Sequence, residues 1–245
     1  MSLPRFHIPD AAPGARIVFP EHAAHHAREV LRLRSGADVR IFDGRGAEFA
    51  AVLETVSRRV VEARLAGPVR PRPESPLCLV LALSPLKGDR MEMVIQKATE
   101  LGVTAFRPVV TARTDAAARP ALRGSRQERW EKVASGAAEQ SNRAVVPQIA
   151  PTVPLAELLT VPFDGLKLLL LETEGVTPLA RTPAPRAGTG VLLLLGPAGG
   201  WESSEIERLS KAGFLSVGLG PRILRAETAA IAAVALAQSL WGDLR

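Results

Sequence analysis

The sequence predicts an α/β protein in which a small β-rich domain precedes a larger domain of alternating strands and helices. Short runs that alternate polar and apolar residues fill the first seventy positions. Longer, almost uninterrupted apolar runs follow, and each is separated from the next by a stretch with helical character. Alternation of strands and helices is typical of an α/β layer fold.

The N-terminal segment contains the pattern of a β-hairpin. Residues 39–42 and 48–53 alternate in polarity, and the Asp-Gly-Arg-Gly sequence between them supplies turn residues. Residues 16–19 predict another strand. Residues 21–34 combine apolar and basic positions and predict a helix packed on the strands.

A proline-rich segment separates the two patterns. Residues 67–73 hold three prolines, which oppose regular structure and favour an extended path. We therefore place the domain boundary here and expect one domain over residues 1–72 and a second over residues 73–245.

The second domain is predicted to contain five strands and four helices. The strands are expected at residues 77–84, 104–110, 166–171, 191–195 and 215–219. The helices are expected at residues 89–101, 126–142, from Ser204 onward with a Ser204–Glu207 capping box, and at 227–241.

Composition favours a polyanionic partner and disfavours several other classes. The net charge is +6, and residues 1–72 contain twelve basic against eight acidic residues. An ordinary solvated surface is the alternative explanation. No apolar run has the length of a membrane span and the start has no signal core, so a cytoplasmic protein is expected. Cys78 is alone and is predicted to be a buried small side chain rather than a nucleophile.

Two Gly-Pro loops predict a ligand site. The strand at residues 191–195 leads directly into Gly-Pro-Ala-Gly-Gly, and the strand at 215–219 leads into a second Gly-Pro loop. Such loops expose backbone N–H groups at strand ends, although glycines that serve only a tight turn are the alternative. Neither loop has a dinucleotide or P-loop signature. The second loop ends with Arg225 at a helix start, where the helix dipole disfavours a cation, so an anionic substrate is indicated. An arginine on a solvated surface is the alternative explanation.

The sequence resembles the 16S ribosomal RNA uridine-N3 methyltransferases of the SPOUT superfamily. The matching segments follow the family's order through nearly the whole chain: Pro-Arg-Phe at 4–6, Lys-Gly-Asp-Arg-Met-Glu at 87–92, Gln-Lys-Ala-Thr-Glu-Leu-Gly at 96–102, Glu-Arg-Trp at 128–130, Glu-Gln-Ser-Asn-Arg at 139–143, Gly-Pro-x-Gly-Gly at 196–200, Leu-Gly-Pro-Arg-Ile-Leu-Arg at 219–225 and Trp-Gly-Asp at 241–243.

This resemblance implies a PUA-like β-barrel that holds RNA and a SPOUT domain with a deep trefoil knot. It further implies a homodimer, 16S rRNA within the 30S subunit as substrate, and S-adenosyl-L-methionine as cofactor. No metal is expected, because His22, His25 and His26 cluster without a carboxylate or thiol partner and are better explained as surface or RNA-contacting residues. The residues carried over as cofactor-binding are Leu171, Glu172, Thr173, Leu195, Gly196, Pro197, Gly199, Gly200, Leu219, Gly220, Ile223, Leu224 and Arg225.

Catalytic roles are predicted for residues at the second Gly-Pro loop, and RNA contacts for a basic surface shared by the two domains. Arg225 is expected to stabilise the anion formed when uridine loses its N3 proton. Glu227 is the candidate acceptor of that proton, with a carboxylate that only caps the helix and orients the loop as the alternative. RNA contacts are expected from Arg5, Arg32, Lys87, Arg90, Lys97, Arg113 and Arg143, each of which is otherwise explained as a solvated charge.

The chain departs from the family pattern at three positions. Ala198 replaces the usual Glu, Ala226 the common Thr, and Ala112 a usual acidic residue. Two alternatives stay open: a SPOUT enzyme that modifies another RNA nucleotide, and a non-catalytic RNA-binding protein.

Overall fold

The computed structural model describes residues 3–116, 126–173 and 175–244. The chain forms two compact units. The N-terminal unit comprises residues 1–74 and 135–146, and the C-terminal unit comprises residues 75–134 and 147–245.

A curled five-stranded sheet forms the N-terminal unit. Its order is β1-β3-β4-β5-β2, with β1 parallel to β3 and the remaining pairs antiparallel. Alternate side chains face a core that includes the fully buried Phe6, Ile41 and Leu53. The strands are β1 (Arg5–His7), β2 (Arg16–Val18), β3 (Asp38–Phe42), β4 (Glu48–Val56) and β5 (Val61–Val69). The predicted hairpin is confirmed, because β3 and β4 pair directly.

The helix predicted over residues 21–34 is shorter than expected. It consists of an α-helical turn, α1 (Glu21–His25), followed by a π-helical turn, His26–Val30. Arg32 has a positive φ of 52°, a conformation that is incompatible with continuing the helix.

Regular structure also continues farther into the proline-rich segment than predicted. Strand β5 extends to Val69, and Pro68 pairs with Phe49 beside a register shift in β4. Strand β2 covers only residues 62–64 of the other edge of β5, so the missing N–H of Pro68 interrupts no second ladder.

An eight-stranded, all-parallel sheet forms the centre of the C-terminal unit. Its path is β11-β13-β10-β12-β6-β7-β8, and β9 also pairs with β7. The strands are β6 (Leu79–Leu83), β7 (Ala105–Val110), β8 (Gln148–Ile149), β9 (Val153–Pro154), β10 (Gly165–Leu170), β11 (Thr177–Pro178), β12 (Gly190–Leu195) and β13 (Leu215–Gly218). Every residue of β6 and β12 is buried, as continuous apolar runs in a parallel sheet require.

Helices accompany this sheet as the alternating pattern predicts. Helices α2 and α6 pack against each other, and α6 also contacts β12 and β6. The helices are α2 (Arg90–Glu100), α3 (Gln127–Ser141), α4 (Leu155–Leu158), α5 (Ser203–Lys211) and α6 (Ala226–Trp241). The α/β fold is confirmed, whereas the trefoil knot stays a prediction.

Two local predictions are wrong. The capping box of α5 pairs Glu202 with Glu205 rather than Ser204 with Glu207, because the N-cap lies two residues earlier than predicted. Cys78 is exposed because it precedes β6, while Leu77 and Leu79 on either side of it are buried. Among the described residues no helix is long and apolar enough to cross a membrane.

Candidate active site

Three loops of the C-terminal unit meet at one edge of its sheet. They follow β10, β12 and β13, and β10 lies between the other two strands. Because all three strands are parallel, their carboxyl ends reach the same edge, where ligands of open α/β sheets bind.

These loops enclose a cavity of about 520 Å³. This volume is typical of a site for a small molecule. The lining comprises Arg90, Leu170, Leu171, Glu172, Thr173, Leu195, Gly196, Pro197, Ala198, Gly200, Trp201, Ile206, Leu219, Gly220, Arg222, Ile223, Leu224, Arg225, Ala226, Glu227 and Ala229.

The loop after β12 has its shape because of its glycines. The N–H of Gly200 donates to the carbonyl of Pro197 at 2.9 Å, which closes a tight turn, and Gly200 has a φ of +73°. A Cβ atom at Gly196 would lie 2.6 Å from Nε1 of Trp201. Glycine is therefore required at 196 if the Trp201 indole is to pack against the backbone.

The polar side of the cavity includes a buried carboxylate, one oxygen of which has no hydrogen-bond partner in the part of the chain that the structure describes. Glu227 is only 9% exposed, and its Oε2 atom has no hydrogen-bond partner among the described residues. Nη1 of Arg90 is the nearest cationic atom, at 3.9 Å. Since a buried polar atom without a partner is costly, Glu227 is available to a ligand that carries a donor or a positive charge.

Arg225 occupies the N-cap position of α6 and is exposed at the same cavity. The positive end of the helix dipole is unfavourable for its guanidinium, whereas it favours Glu227 in the first turn. The exposed guanidinium is therefore placed where an anionic group of a substrate would compensate it.

A fourth loop, after β7, contacts the loop after β12, which is called the glycine loop below. Arg113 donates from Nη1 to the carbonyl of Gly199 at 3.3 Å. The buried Glu205 carboxylate accepts from the backbone N–H groups of Ala112 and Glu202, at 2.9 and 3.1 Å. These contacts connect the start of α5 to the loop after β7 and restrict where the glycine loop can lie.

The cavity brings together most of the residues predicted to bind cofactor. Twelve of the thirteen line it; the remaining one, Gly199, lies just outside it against Arg113. Both residues predicted as catalytic, Arg225 and Glu227, also line it.

Sequence reasoning missed two prominent side chains of the lining. Trp201 was not singled out, although a tryptophan directly after a Gly-Gly pair at a strand end was an available signal. Arg222 lies within the matching segment at 219–225 but is not among the residues predicted to bind cofactor. Of the three departures from the family pattern, Ala198 and Ala226 line the cavity, and Ala112 is exposed in the loop after β7.

The basic residues predicted to contact RNA from the C-terminal unit lie in different settings. Arg90 lines the cavity. Lys87 pairs with Asp115 at 2.6 Å, and Lys97 pairs with Glu100 at 2.9 Å. Lys87, Arg90 and Lys97 each keep at least 44% of the side chain exposed.

In the N-terminal unit the predicted RNA-binding residues are mostly buried. Arg5 is 9% exposed and donates to both oxygens of Glu48, at 3.0 and 3.1 Å. Arg143 is 8% exposed and pairs with Glu74 at 2.7 Å. This geometry favours a structural role for both. Arg32 alone of the three is exposed.

The fold and the cavity define an RNA methyltransferase. The family model described as RNA methyltransferase domain matches residues 73–238, and the one described as RNA methyltransferase PUA domain matches residues 19–65. A Synechocystis protein named ribosomal RNA small subunit methyltransferase E is 32% identical over 95% of this chain and 76% of its own. Its namesake from Mycobacterium bovis is 33% identical over 96% of this chain and 90% of its own. The chain belongs to the ribosomal RNA small subunit methyltransferase E family.

Solved structures agree with this assignment along the entire chain. The family member from Neisseria gonorrhoeae, bound to S-adenosyl methionine, superposes with a TM-score of 0.89 at 35% identity. A Legionella pneumophila protein solved with the bound cofactor SAM gives a TM-score of 0.92 at 34% identity. Both comparisons cover 100% of this chain and of the other chain.

Proposed function

We propose that this protein transfers a methyl group from S-adenosyl-L-methionine to N3 of a uridine in 16S rRNA. The observation that carries the proposal is the convergence of three strand-end loops on one cavity, with Arg225 and Glu227 together at its wall. Membership of the family and the cofactor found in its solved relatives support the same activity.

The lining suits the proposed cofactor. Its apolar side chains, among them Trp201 and Leu219, offer a surface for a nucleoside. Backbone N–H groups of the two Gly-Pro loops provide donors, and the carboxylates of Glu172 and Glu227 provide acceptors for positively charged groups. When bound, the cofactor supplies a methyl group carried on a positively charged sulfur.

The residues at the cavity wall have distinct proposed roles. The N3 proton of uridine must leave as the new N–CH₃ bond forms and the S–CH₃ bond breaks. Glu227 accepts that proton, and the guanidinium of Arg225 stabilises the negative charge left on the uracil ring. Much of the rate enhancement would come from holding N3 in line with the methyl group, which is the task of the loops.

The proposal extends to partners and location. The protein acts as a homodimer on the 30S subunit in the cytoplasm, where that substrate is found. Residues 1–72 provide the RNA-holding domain and residues 73–245 the knotted methyltransferase domain. The exposed Arg32, Lys87, Arg90 and Arg113 and the half-buried Lys97 contribute phosphate contacts.

Incubation with 30S subunits that lack the modification and with cofactor labelled in its methyl group tests this activity. We expect label in 16S rRNA and a new reverse-transcriptase stop at one uridine, because a methyl group on N3 blocks base pairing. Label without a stop would instead indicate methylation of ribose or of a base atom outside the base-pairing edge, and would contradict the N3 position. Absence of label in 16S rRNA would contradict the proposed function.

A further inference from the structure

A second cavity lies in the N-terminal unit and has a strongly basic wall. Its volume is about 200 Å³. Four arginines and a single glutamate line it, together with the polar Asn142. The arginines are Arg5, Arg40, Arg70 and Arg72.

The only acidic side chain in the described lining is already neutralised. Both oxygens of Glu48 accept hydrogen bonds from Arg5, which forms a closed, buried pair. Arg5 and Arg40 are register partners on the parallel strands β1 and β3, so a second guanidinium follows directly beside this pair. The positive charge of Arg40 is left without compensation from Glu48.

Arg40 provides the clearest evidence that this cavity is suited to an acceptor group. Its Nη1 atom is buried and has no hydrogen-bond partner among the described residues. A guanidinium N–H that has lost contact with water normally finds an acceptor, because the alternative leaves a charged donor unsatisfied. Arg70 and Arg72, at the end of β5 and just beyond it, add two exposed guanidinium groups to the same cavity.

The lining also indicates which part of an RNA would enter. No aromatic side chain is among the described residues that line the cavity, so it offers no surface on which a base could stack. Several arginines around one small space match the oxygen-rich, anionic phosphodiester group, which accepts paired N–H donors from guanidinium.

We propose that this cavity, formed around Arg40, Arg70 and Arg72, binds a phosphate group of the RNA backbone. It would anchor the substrate independently of nucleotide sequence, at a site separate from the cavity where methyl transfer is proposed. This inference rests on the proposed RNA substrate, and it assigns a binding role to three arginines that sequence reasoning did not select.

Binding of fluorescein-labelled RNA hairpins of unrelated sequence, measured by anisotropy at several salt concentrations, tests the inference. We expect Arg40→Gln to weaken binding about tenfold for every hairpin. We also expect the slope of log K against log salt to become shallower by about one unit, since one phosphate contact is lost. Arg72→Gln, at an exposed position, should act in the same direction without affecting the thermal melting of the protein.

Arg58→Gln provides the matched control. Arg58 is exposed in the turn at the opposite end of the β4–β5 hairpin. Its replacement by Gln removes one positive charge, as each cavity variant does. Wild-type affinity in both cavity variants, an equal loss in the Arg58→Gln control, or weaker binding with an unchanged salt slope would each overturn the phosphate site. So would a wild-type protein that binds no hairpin.

Failure of the phosphate site and failure of the proposed activity are separable. If the cavity variants lose RNA affinity but the wild type adds no label to 30S subunits, the phosphate site stands and the methylation proposal falls. If both cavity variants bind RNA normally while the wild type methylates 16S rRNA, the activity stands and the phosphate site falls.

Discussion

Arg225 and Glu227 are two residues apart at the start of α6, yet they differ in exposure and in their interaction with the helix dipole. Arg225 is exposed and lies against the unfavourable end of the helix dipole, whereas Glu227 is buried and lies in the favourable first turn. An exposed cation that the helix does not stabilise is free to respond to charge that develops on a substrate. The two side chains can therefore be tested separately.

Replacement of Arg225 by Ala should slow single-turnover methylation of 30S subunits by a factor on the order of 10², the usual loss for one donor that stabilises a developing anion. Cofactor affinity, measured by calorimetry, should change much less. Arg225→Lys should recover part of the rate, since it keeps the charge but loses the planar donor pair. A single-turnover rate equal to wild type in Arg225→Ala would show that the anion is stabilised elsewhere.

A second residue-scale prediction concerns Glu139 in the N-terminal unit. Burial raises the pKa of its carboxyl from 4.5 to about 7, although the N–H of His7 and the charge of Arg5 oppose this shift. The His7 N–H donates to Glu139 at 2.7 Å, and the His7 ring contacts Ser135 at 2.8 Å. Burial lowers the pKa of His7 itself.

The sign of the pH effect follows from these shifts. Between about pH 4.5 and 7 the unfolded chain has lost the Glu139 proton while the folded protein keeps it, so this contribution to stability is lost as pH rises. His7 acts oppositely, because stability is lost as pH falls below 6.5. Urea denaturation at several pH values measures the free energy of unfolding. The difference in this free energy between wild type and Glu139→Gln should change in favour of the variant as pH rises to 7. A constant difference would contradict the raised pKa.

At the scale of secondary-structure elements, the loop after β12 depends on an absent side chain. The Trp201 indole occupies the space where a Cβ atom at position 196 would lie. A side chain at position 196 would therefore displace Trp201 from the wall of the large cavity and leave the hydrogen bonds of the sheet unchanged.

Gly196→Ala should therefore weaken cofactor binding severalfold while the protein stays folded, because Trp201 must move out of the lining. Gly136→Ala is the control. Position 136 lies within α3, a Cβ atom there would meet nothing within 4 Å, and alanine should stabilise the helix by about 0.5 to 1 kcal/mol. Isothermal calorimetry measures the cofactor affinity, and thermal melting measures the stability. Unchanged cofactor affinity in Gly196→Ala would show that the position of Trp201 does not affect cofactor binding.

The elements differ in how far their sequence alone predicts them. Strand β12 and its glycine loop were predictable because a fully apolar run and a turn are local signals. The end of the first helix was not, since it depends on the positive φ of Arg32 rather than on composition. The prediction that Cys78 is buried was wrong because its exposure depends on where β6 begins within a longer apolar run.

The same distinction applies to the sites. The loops of the main cavity were predictable from their Gly-Pro pattern and from family resemblance. The approach of Arg90 to Glu227, 137 positions later in the chain, depends on the packing of α2 against α6. The basic cavity joins Arg40 to Arg70 and Arg72 through the pairing of β3, β4 and β5, which no local pattern reveals.

At the scale of the whole molecule, the two compact units have separate cores and separate cavities. The described residues that line the large cavity all belong to the C-terminal unit, and those that line the small basic cavity all belong to the N-terminal unit. A small cofactor and an RNA phosphate should therefore leave different signatures on the protein.

Saturation with S-adenosylmethionine should stabilise the protein by about 2.7 kcal/mol at a hundredfold excess over Kd, since a ligand that binds only the folded state adds to its stability. Calorimetric melting measures this shift. Hydrogen exchange should localise it to the loops at 171–173, 195–201 and 219–225, which supply most of the residues that line the cavity. Arg40→Gln should show the same shift as wild type, because Arg40 lies in the other unit. A melting temperature that does not change when cofactor is added would show that the large cavity is not the cofactor site. Protection from hydrogen exchange confined to the N-terminal unit would show the same.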